Sequence, residues 1–283
     1  PVKLLILAGL KNSLKNSSNI QTVDFMLDKI VEKTKERVSE NKKVNSLDRL
    51  KYKILNIDVK FNYPFKKALS SDDIAIIAEV KKASPSKGLI AENFDYVNIA
   101  KEYEAAGASA ISVLTEPYFF QGSDDYLKKI AKNVKIPVLR KDFVVDEYMI
   151  YEAKLLGASA VLLIAAILSD EQLEQYLTIT RVLGMSAIVE AHDENEIKRA
   201  IDAGADIVGV NNRNLKDFSV DIENSIRLRR CVDEDIIFIS ESGIKTKEDI
   251  ARLKENNVDA VLIGETLMKS PDKKVMIREL KNG

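Results

Sequence analysis

The sequence predicts an α/β protein of the (β/α)8 class, a closed ring of eight parallel strands with a helix after each. Two observations carry this. First, four segments share one grammar: EAAGASAISVL ending at Leu114, KLLGASAVLLI ending at Ile164, AIDAGADIVGV ending at Val210, and KENNVDAVLIG ending at Gly264. Each is the end of a helix, a stop, one small or apolar residue, Ser or Asp, then a buried strand. The stops are Gly107, Gly157, Gly204 and Asn257, residue types that tolerate the left-handed conformation ending a helix. A helix, a short loop and a strand, repeated, is the pattern of a parallel α/β sheet. Second, four more strands fit between these: Ile74–Lys81, Pro137–Lys141, Ser186–Glu190 and Ile236–Glu241. Strands then start near residues 74, 109, 137, 159, 186, 206, 236 and 259, leaving room for a helix and two loops in each interval. Eight such units within roughly 210 residues close a barrel. An open doubly wound sheet is disfavoured, because no G-x-G-x-x-G follows the first strand.

Taken in order, residues 1–22 form an amino-terminal extension with no assignable role. It has a short apolar patch after one Lys but no convincing signal-peptide core. Residues 23–283 are expected to form one barrel domain that includes an amino-terminal helix. Val23, Met26, Leu27, Ile30 and Val31 recur at three- and four-residue spacing, and Thr22 is placed to cap them. In the mixed stretch from Asn41 to Asp73, Tyr52, Ile54, Leu55 and Ile57 predict local packing. Phe61, Tyr63, Pro64 and Phe65 predict an aromatic corner against the body. Ser70 to Asp73 then breaks the chain before the first strong strand.

That strand and its loop, IAIIAEVKKASPSKGLI from Ile74 to Ile90, bring in charge. Residues two apart in a strand share a face, so Glu79 and Lys81 point the same way from a carboxyl end whose earlier part is fully buried. Burying such a pair costs several kcal/mol unless both ions are partnered. A surface salt bridge and a catalytic pair are the two readings of these residues alone.

The totals narrow the function. In 283 residues, 43 Lys and Arg face 44 Asp and Glu, a net charge of −1, and the Lys-Lys pairs are scattered. This argues against a nucleic-acid or membrane-surface binder. The longest apolar run, Ala160 to Leu168, is far short of the roughly 20 residues a spanning helix needs. One cysteine, Cys231, excludes a disulfide within the chain and makes a cytoplasmic protein the default. With one histidine, His192, the chain has too few His and Cys ligands for a His/Cys metal site, so no metal is expected. The expected partner is a small phosphorylated molecule, and the expected assembly is a monomer or weak homo-oligomer.

Barrel active sites sit at the carboxyl ends of the strands. There the sequence places Glu79 and Lys81, then Lys141 and Asp142, Glu190, Asn211 and Arg213, Glu241 with Ser242 and Gly243, and finally Gly264 and Glu265. Any one of these could be an ordinary surface group. Six strand ends converging with such groups point to acid–base chemistry in which neighbours tune each other. The Gly-rich ends of strands seven and eight suit a phosphate held by backbone N–H groups. Glu265 is expected to turn its side chain away while its N–H is used. The remaining candidates take plainer readings. His192 reads as a loop residue, Cys231 as a structural thiol, and Asp124 and Asp125 as helix-start acids. Tyr118, Phe119 and Phe120, after strand two, are placed either to pack or to touch an aromatic ligand.

The blocks AEVKKASPSKG, LTEPYFFQGS, LRKDFVVDEYMI, VEAHDE, GVNNRNLKDF, ESGI and IGETLM, in this order, resemble the indole-3-glycerol phosphate synthases of tryptophan biosynthesis. The resemblance covers Val23 to Met268, with one block per strand end; the chain departs from the family pattern mainly before Val23. It implies a TIM barrel with an extra N-terminal helix. It also implies conversion of 1-(2-carboxyphenylamino)-1-deoxyribulose 5-phosphate to indole-3-glycerol phosphate, with loss of carbon dioxide and water and no cofactor. By motif position, Lys141 is the general acid at the ribulose carbonyl and Glu190 the acid–base for dehydration. Lys81 pairs with the substrate's anionic groups, and Glu79, Asn211 and Ser242 hold the lysines and hydroxyls. Ser84, Gly243, Gly264 and Glu265 form the phosphate cradle with Arg213 nearby, and Phe120 and Phe143 wall the aromatic ring. Two rival classes are another phosphate-sugar barrel, such as phosphoribosylanthranilate isomerase, and a non-catalytic phosphate-ligand-binding barrel. The isomerase would want a Cys/Asp pair at strand ends, where Cys231 does not lie.

Overall fold

The computed structural model describes residues 26–71, 73–214 and 218–282. The extension 1–22, the Thr22 cap and Val23 lie outside the described residues. Eight parallel strands close a barrel: β1 (Ala75–Val80), β2 (Ala110–Leu114), β3 (Val138–Lys141), β4 (Ala160–Ile164), β5 (Ser186–Ala191), β6 (Ile207–Asn211), β7 (Ile237–Glu241) and β8 (Ala260–Ile263). Each pairs with its neighbour in sequence, and β1 closes the ring against β8. Every predicted strand is present. The four predicted stops all take positive φ, from 57° at Asn257 to 94° at Gly157.

Before the barrel, residues 26–44 form helix α1, which buries Ile30, Thr34 and Val38 at four-residue spacing. Helices α2 (Leu47–Ile54) and α3 (Pro64–Leu69) follow. The packing predicted here is only partly present. Ile54 is buried, but Tyr52, Leu55 and Phe61 are exposed, because α2 turns one narrow face, Leu50 and Ile54, inward. Phe65 and Leu69 of α3 are fully buried in the barrel interior, among Ala75, Ala110, Ala160 and Ala260 at the strand starts. Small residues at those starts leave space that α3 fills from below.

The barrel helices are α4 (Tyr96–Ala105), α5 (Asp124–Asn133), α6 (Glu147–Leu156), α7 (Asp170–Val182), α8 (Glu194–Asp202), α9 (Glu223–Arg229) and α10 (Lys247–Glu255), then α11 (Glu265–Lys269) and α12 (Lys273–Lys281). Ser123, Asp146, Ser169, Asp193 and Thr246 cap α5, α6, α7, α8 and α10 through their side chains. The caps satisfy orphan N–H groups where each loop hands the chain to its helix. Among the described residues, no helix is long and apolar enough to cross a membrane.

Strand periodicity sorts the barrel into two layers. Ile76, Ala78, Val80, Val161 and Leu163 join the cluster packed against the helices. Ala75, Ile77, Leu139, Leu162, Ile188, Ile239 and Leu262 form the inner core. Carried two residues further, the inner positions become Glu79, Lys141, Glu190 and Glu241, so the site rests directly on this core.

Candidate active site

The mouth at the carboxyl ends opens into a cavity of about 520 Å³. It is lined by all the predicted site residues: Glu79, Lys81, Ser84, Phe120, Lys141, Phe143, Glu190, Asn211, Arg213, Ser242, Gly243, Gly264 and Glu265. This is the size of an ordinary small-molecule site. Elements as distant as β1 and β8 therefore meet around one space.

Lys141 stands at its centre. Its Nζ lies 3.0 Å from Glu190 Oε2 and 3.1 Å from Glu241 Oε2. Burial works to discharge this ammonium. The charges of Glu190, Glu241 and Glu79 outweigh burial and hold the lysine above its usual range, hence firmly protonated. Burial likewise works against ionised Glu190. Lys141 and His192, with hydrogen bonds from Lys141 and Asn211, hold its carboxyl below the usual range. Glu241 differs. Its burial, with the charges of Glu190 and Glu79, prevails over Lys141 and pushes it up to about 7. Glu190 and Glu241, so close to one lysine, titrate together rather than independently. Glu241 Oε1 is buried and accepts no hydrogen bond.

Lys81 pairs with Glu79 Oε1, and Ser112 Oγ lies 3.5 Å from Glu79 Oε2. The paired face predicted for these residues is present, with Glu79 buried and Lys81 half-buried at the mouth. Two glycines admit the carboxylates. A Cβ at Gly264 would meet Glu79 Oε1, and one at Gly209 would meet Glu241 Oε1.

Ser84 lies on a two-residue strand, Ala83–Ser84, paired antiparallel with Gly88–Leu89 in the loop after β1. Ser242 and Gly243 both have positive φ, 69° and 91°. Asn211 Oδ1 accepts from the Arg213 N–H at 3.0 Å. Phe120 and Phe143 face each other with ring centroids 6.0 Å apart. The neighbouring Tyr118 is instead largely exposed.

Other expectations need correction. The Glu265 side chain does not turn away from the site. It takes Lys269 at 2.7 Å and lies 3.7 Å from Lys87 and 4.0 Å from Arg213, because three cations gather at this edge of the mouth. Asp142 lines the cavity beside Lys141, as placed, but its carboxylate is taken by other partners. Arg37 of α1 grips Asp142 with two 2.9 Å bonds and Thr115 adds one of 2.6 Å. Cys231, read as a structural thiol, is free and exposed. His192 lies in a loop as expected, yet its ring sits beside a site residue: Nε2 is 3.8 Å from Glu190 Oε1.

Sequence reasoning also left out Glu241 as a partner of Lys141, and Met26, Leu27 and Ile30 of α1, which line the cavity. Strand parity was the available signal for Glu241. For α1 there was none, since nothing local says which face of the barrel a preceding helix covers.

A sequence profile described as "Indole-3-glycerol phosphate synthase" matches residues 27–280. The chain belongs to the indole-3-glycerol phosphate synthase family. Among curated members, it is 58% identical over 248 residues to the synthase of Ruminiclostridium cellulolyticum, covering 88% of this chain and 95% of that one. It is 57% identical over 258 residues to the synthase of Endomicrobium trichonymphae, covering 91% and 100%. Among solved structures, KGPDC from Streptococcus mutans aligns with a TM-score of 0.60 at 8% identity, over 75% of this chain and 97% of that one. At that identity the likeness shows the barrel fold alone.

Proposed function

We propose that this family member closes the indole ring of 1-(2-carboxyphenylamino)-1-deoxyribulose 5-phosphate, releasing carbon dioxide, water and indole-3-glycerol phosphate. The observation that carries this reading is a charged lysine, Lys141, held between a depressed and a raised carboxyl inside a partly apolar cavity.

The aromatic ring carbon attacks the ribulose carbonyl, whose oxygen becomes an alkoxide. Lys141 supplies a proton there at close range, and its pairing with Glu190 and Glu241 keeps it loaded. Carbon dioxide then leaves from the ring carbon that formed the new bond. Loss of the hydroxyl as water needs an acid at that oxygen and a base for the proton released as the ring becomes aromatic. Glu190 is the acid–base group of this step. Glu241, near 7, holds or gives up a proton at neutral pH and recharges Lys141. Lys81, fixed by Glu79, faces the substrate carboxylate, and Asn211 and Ser242 position the hydroxyls.

Closure is intramolecular, so holding the chain folded is much of the catalysis. At one end, Ser84, Gly243, Gly264 and the Glu265 N–H take the phosphate, with Arg213 beside them. At the other, Phe120, Phe143 and the α1 side chains wall the aromatic ring. The test is direct: mixing the protein with the carboxyphenylamino substrate raises indole fluorescence, against little background because the chain has no Trp. No rise with that substrate, and turnover of phosphoribosylanthranilate instead, would overturn the reading.

A further inference from the structure

His192, beside Glu190, has built surroundings but no use in the chemistry above. It is the only histidine in the chain. The inward alternation of Ile188 and Glu190 reaches it at the next step past β5. Its side chain is only 20% exposed.

One carboxylate oxygen fixes the ring. Glu196 Oε2 accepts from the His192 backbone N–H at 2.8 Å and lies 3.1 Å from Nδ1. An acceptor on that side puts a proton on Nδ1 and turns Nε2 toward Glu190. Nε2 lies 3.8 Å from Glu190 Oε1, within ion-pair reach, and is buried with no hydrogen-bond partner. Glu190's other oxygen holds Lys141. The charged groups facing the imidazole are Glu196 from α8, Glu190 from β5 and Glu241 from β7, with Lys141 beyond Glu190. Burial opposes a charged ring, but the Glu196 bond and the three carboxylates prevail and raise its pKa.

We propose that His192 is a positioning residue for Glu190: its imidazolium, oriented by Glu196, holds one carboxylate oxygen while Lys141 holds the other. The inference rests on the reading of Glu190 as the acid–base group. A carboxylate pinned between two cations keeps one orientation toward the leaving hydroxyl. It also resists protonation until substrate arrives. A histidine that merely filled the loop would affect folding and leave the ionisation of Glu190 unchanged.

Two measurements decide this. With one histidine, its imidazole proton resonance is unambiguous and titrates in the intact protein. In Glu190→Gln that midpoint should fall by roughly half to one pH unit, through loss of a facing charge. In His192→Gln the acid limb of kcat/KM should move up by a similar amount, with the circular dichroism spectrum unchanged. Glu196→Gln should shift the limb the same way by less, and add nothing in the double variant. A histidine midpoint indifferent to Glu190→Gln, or an acid limb unmoved in folded His192→Gln, overturns the proposal. Should His192→Gln fail to fold, the Glu190→Gln titration still decides. The resonance measurement needs no turnover, so its failure sinks the positioning contact alone, whereas absent indole product sinks the functional reading alone.

Discussion

Two clusters of buried charge sit back to back on β3, and they are built on opposite principles. Arg140 and Lys141 are adjacent residues on opposite faces. Arg140 is fully buried and satisfied: Nη2 bonds Asp124 and Glu152, both at 2.8 Å, Nη1 the Met149 carbonyl at 3.0 Å, and Nε Thr115 at 3.2 Å. Asp142 is closed off by Arg37 and Thr115, which outweigh burial and hold its carboxyl below the usual range. Around Lys141 the accounts stay open. Glu190, Glu241 and Glu79 crowd two lysines, and Glu241 Oε1 is buried with no hydrogen-bond partner. Buried polar atoms are almost always paired in folded proteins, so unpaired ones need a reason. At the mouth, the proposed function supplies one: a bound substrate. The first cluster is closed on itself; the second, on the proposed function, is the one a ligand would complete.

The largest expected effects set the two apart. Lys141→Ala should lower kcat by roughly a thousandfold or more, the scale of losing a main transition-state donor. The fold should survive, because Glu190 and Glu241 can share a proton once the lysine is gone. Arg140→Met should do the reverse. It strands Glu152 and takes a partner from Asp124, and losing one partner of a buried ion cluster costs about 3–5 kcal/mol. Denaturant titration and indole fluorescence on both variants check this. A fully active Lys141→Ala protein would refute the role given to that lysine.

The same contrast explains what was readable beforehand. Strand positions and helix stops were legible because they depend on local pattern. Glu79 and Lys81 were legible because alternation is local too. The pairing of Lys141 with Glu241 was not, since it needs β3 and β7 to face each other across a barrel and Gly209 to leave room. Nor was Arg37–Asp142, whose partners are 105 residues apart. Phe65, which forms the plug with Leu69, read as part of an aromatic corner, because only closure of the ring creates the space it fills. His192 read as an ordinary loop residue because its meaning lies in Glu196, one helical turn onward, and in the ring orientation that carboxylate imposes.

Titration gives a subtler way to separate the clusters. Glu241 has a raised pKa in the folded state, so folded protein binds more protons than unfolded protein between about 4.5 and about 7. Stability from this group is therefore lost as pH rises through that window, by an amount on the order of a few kcal/mol. Asp142 runs the other way. Its folded pKa is lowered, so its stabilisation is present above the unfolded value and lost as pH falls below it. Glu241→Gln should flatten the decline between pH 5 and 7 and leave acid unfolding in place. Asp142→Asn should do the opposite. Unfolding free energies measured across pH 3 to 8 distinguish them, and an unchanged slope in Glu241→Gln would place its proton elsewhere in the cluster.

The smallest effect tests whether the satisfied cluster depends on geometry or only on charge. Arg37 reaches Asp142 through two parallel bonds, a fork that lysine cannot reproduce. Arg37→Lys keeps the charge beside a fully buried carboxylate, so the penalty of a stranded ion does not arise. What is lost is one charge-assisted bond, together with the contact to the Thr115 carbonyl at 3.3 Å. That should cost about 1–2 kcal/mol of stability. Turnover should be untouched, because Lys141 keeps its own carboxylates on the far side of the strand. If kcat fell as far as stability, the two clusters would be one electrostatic unit, and the division between a closed structural set and an open catalytic set would fail at the residue that joins α1 to the barrel.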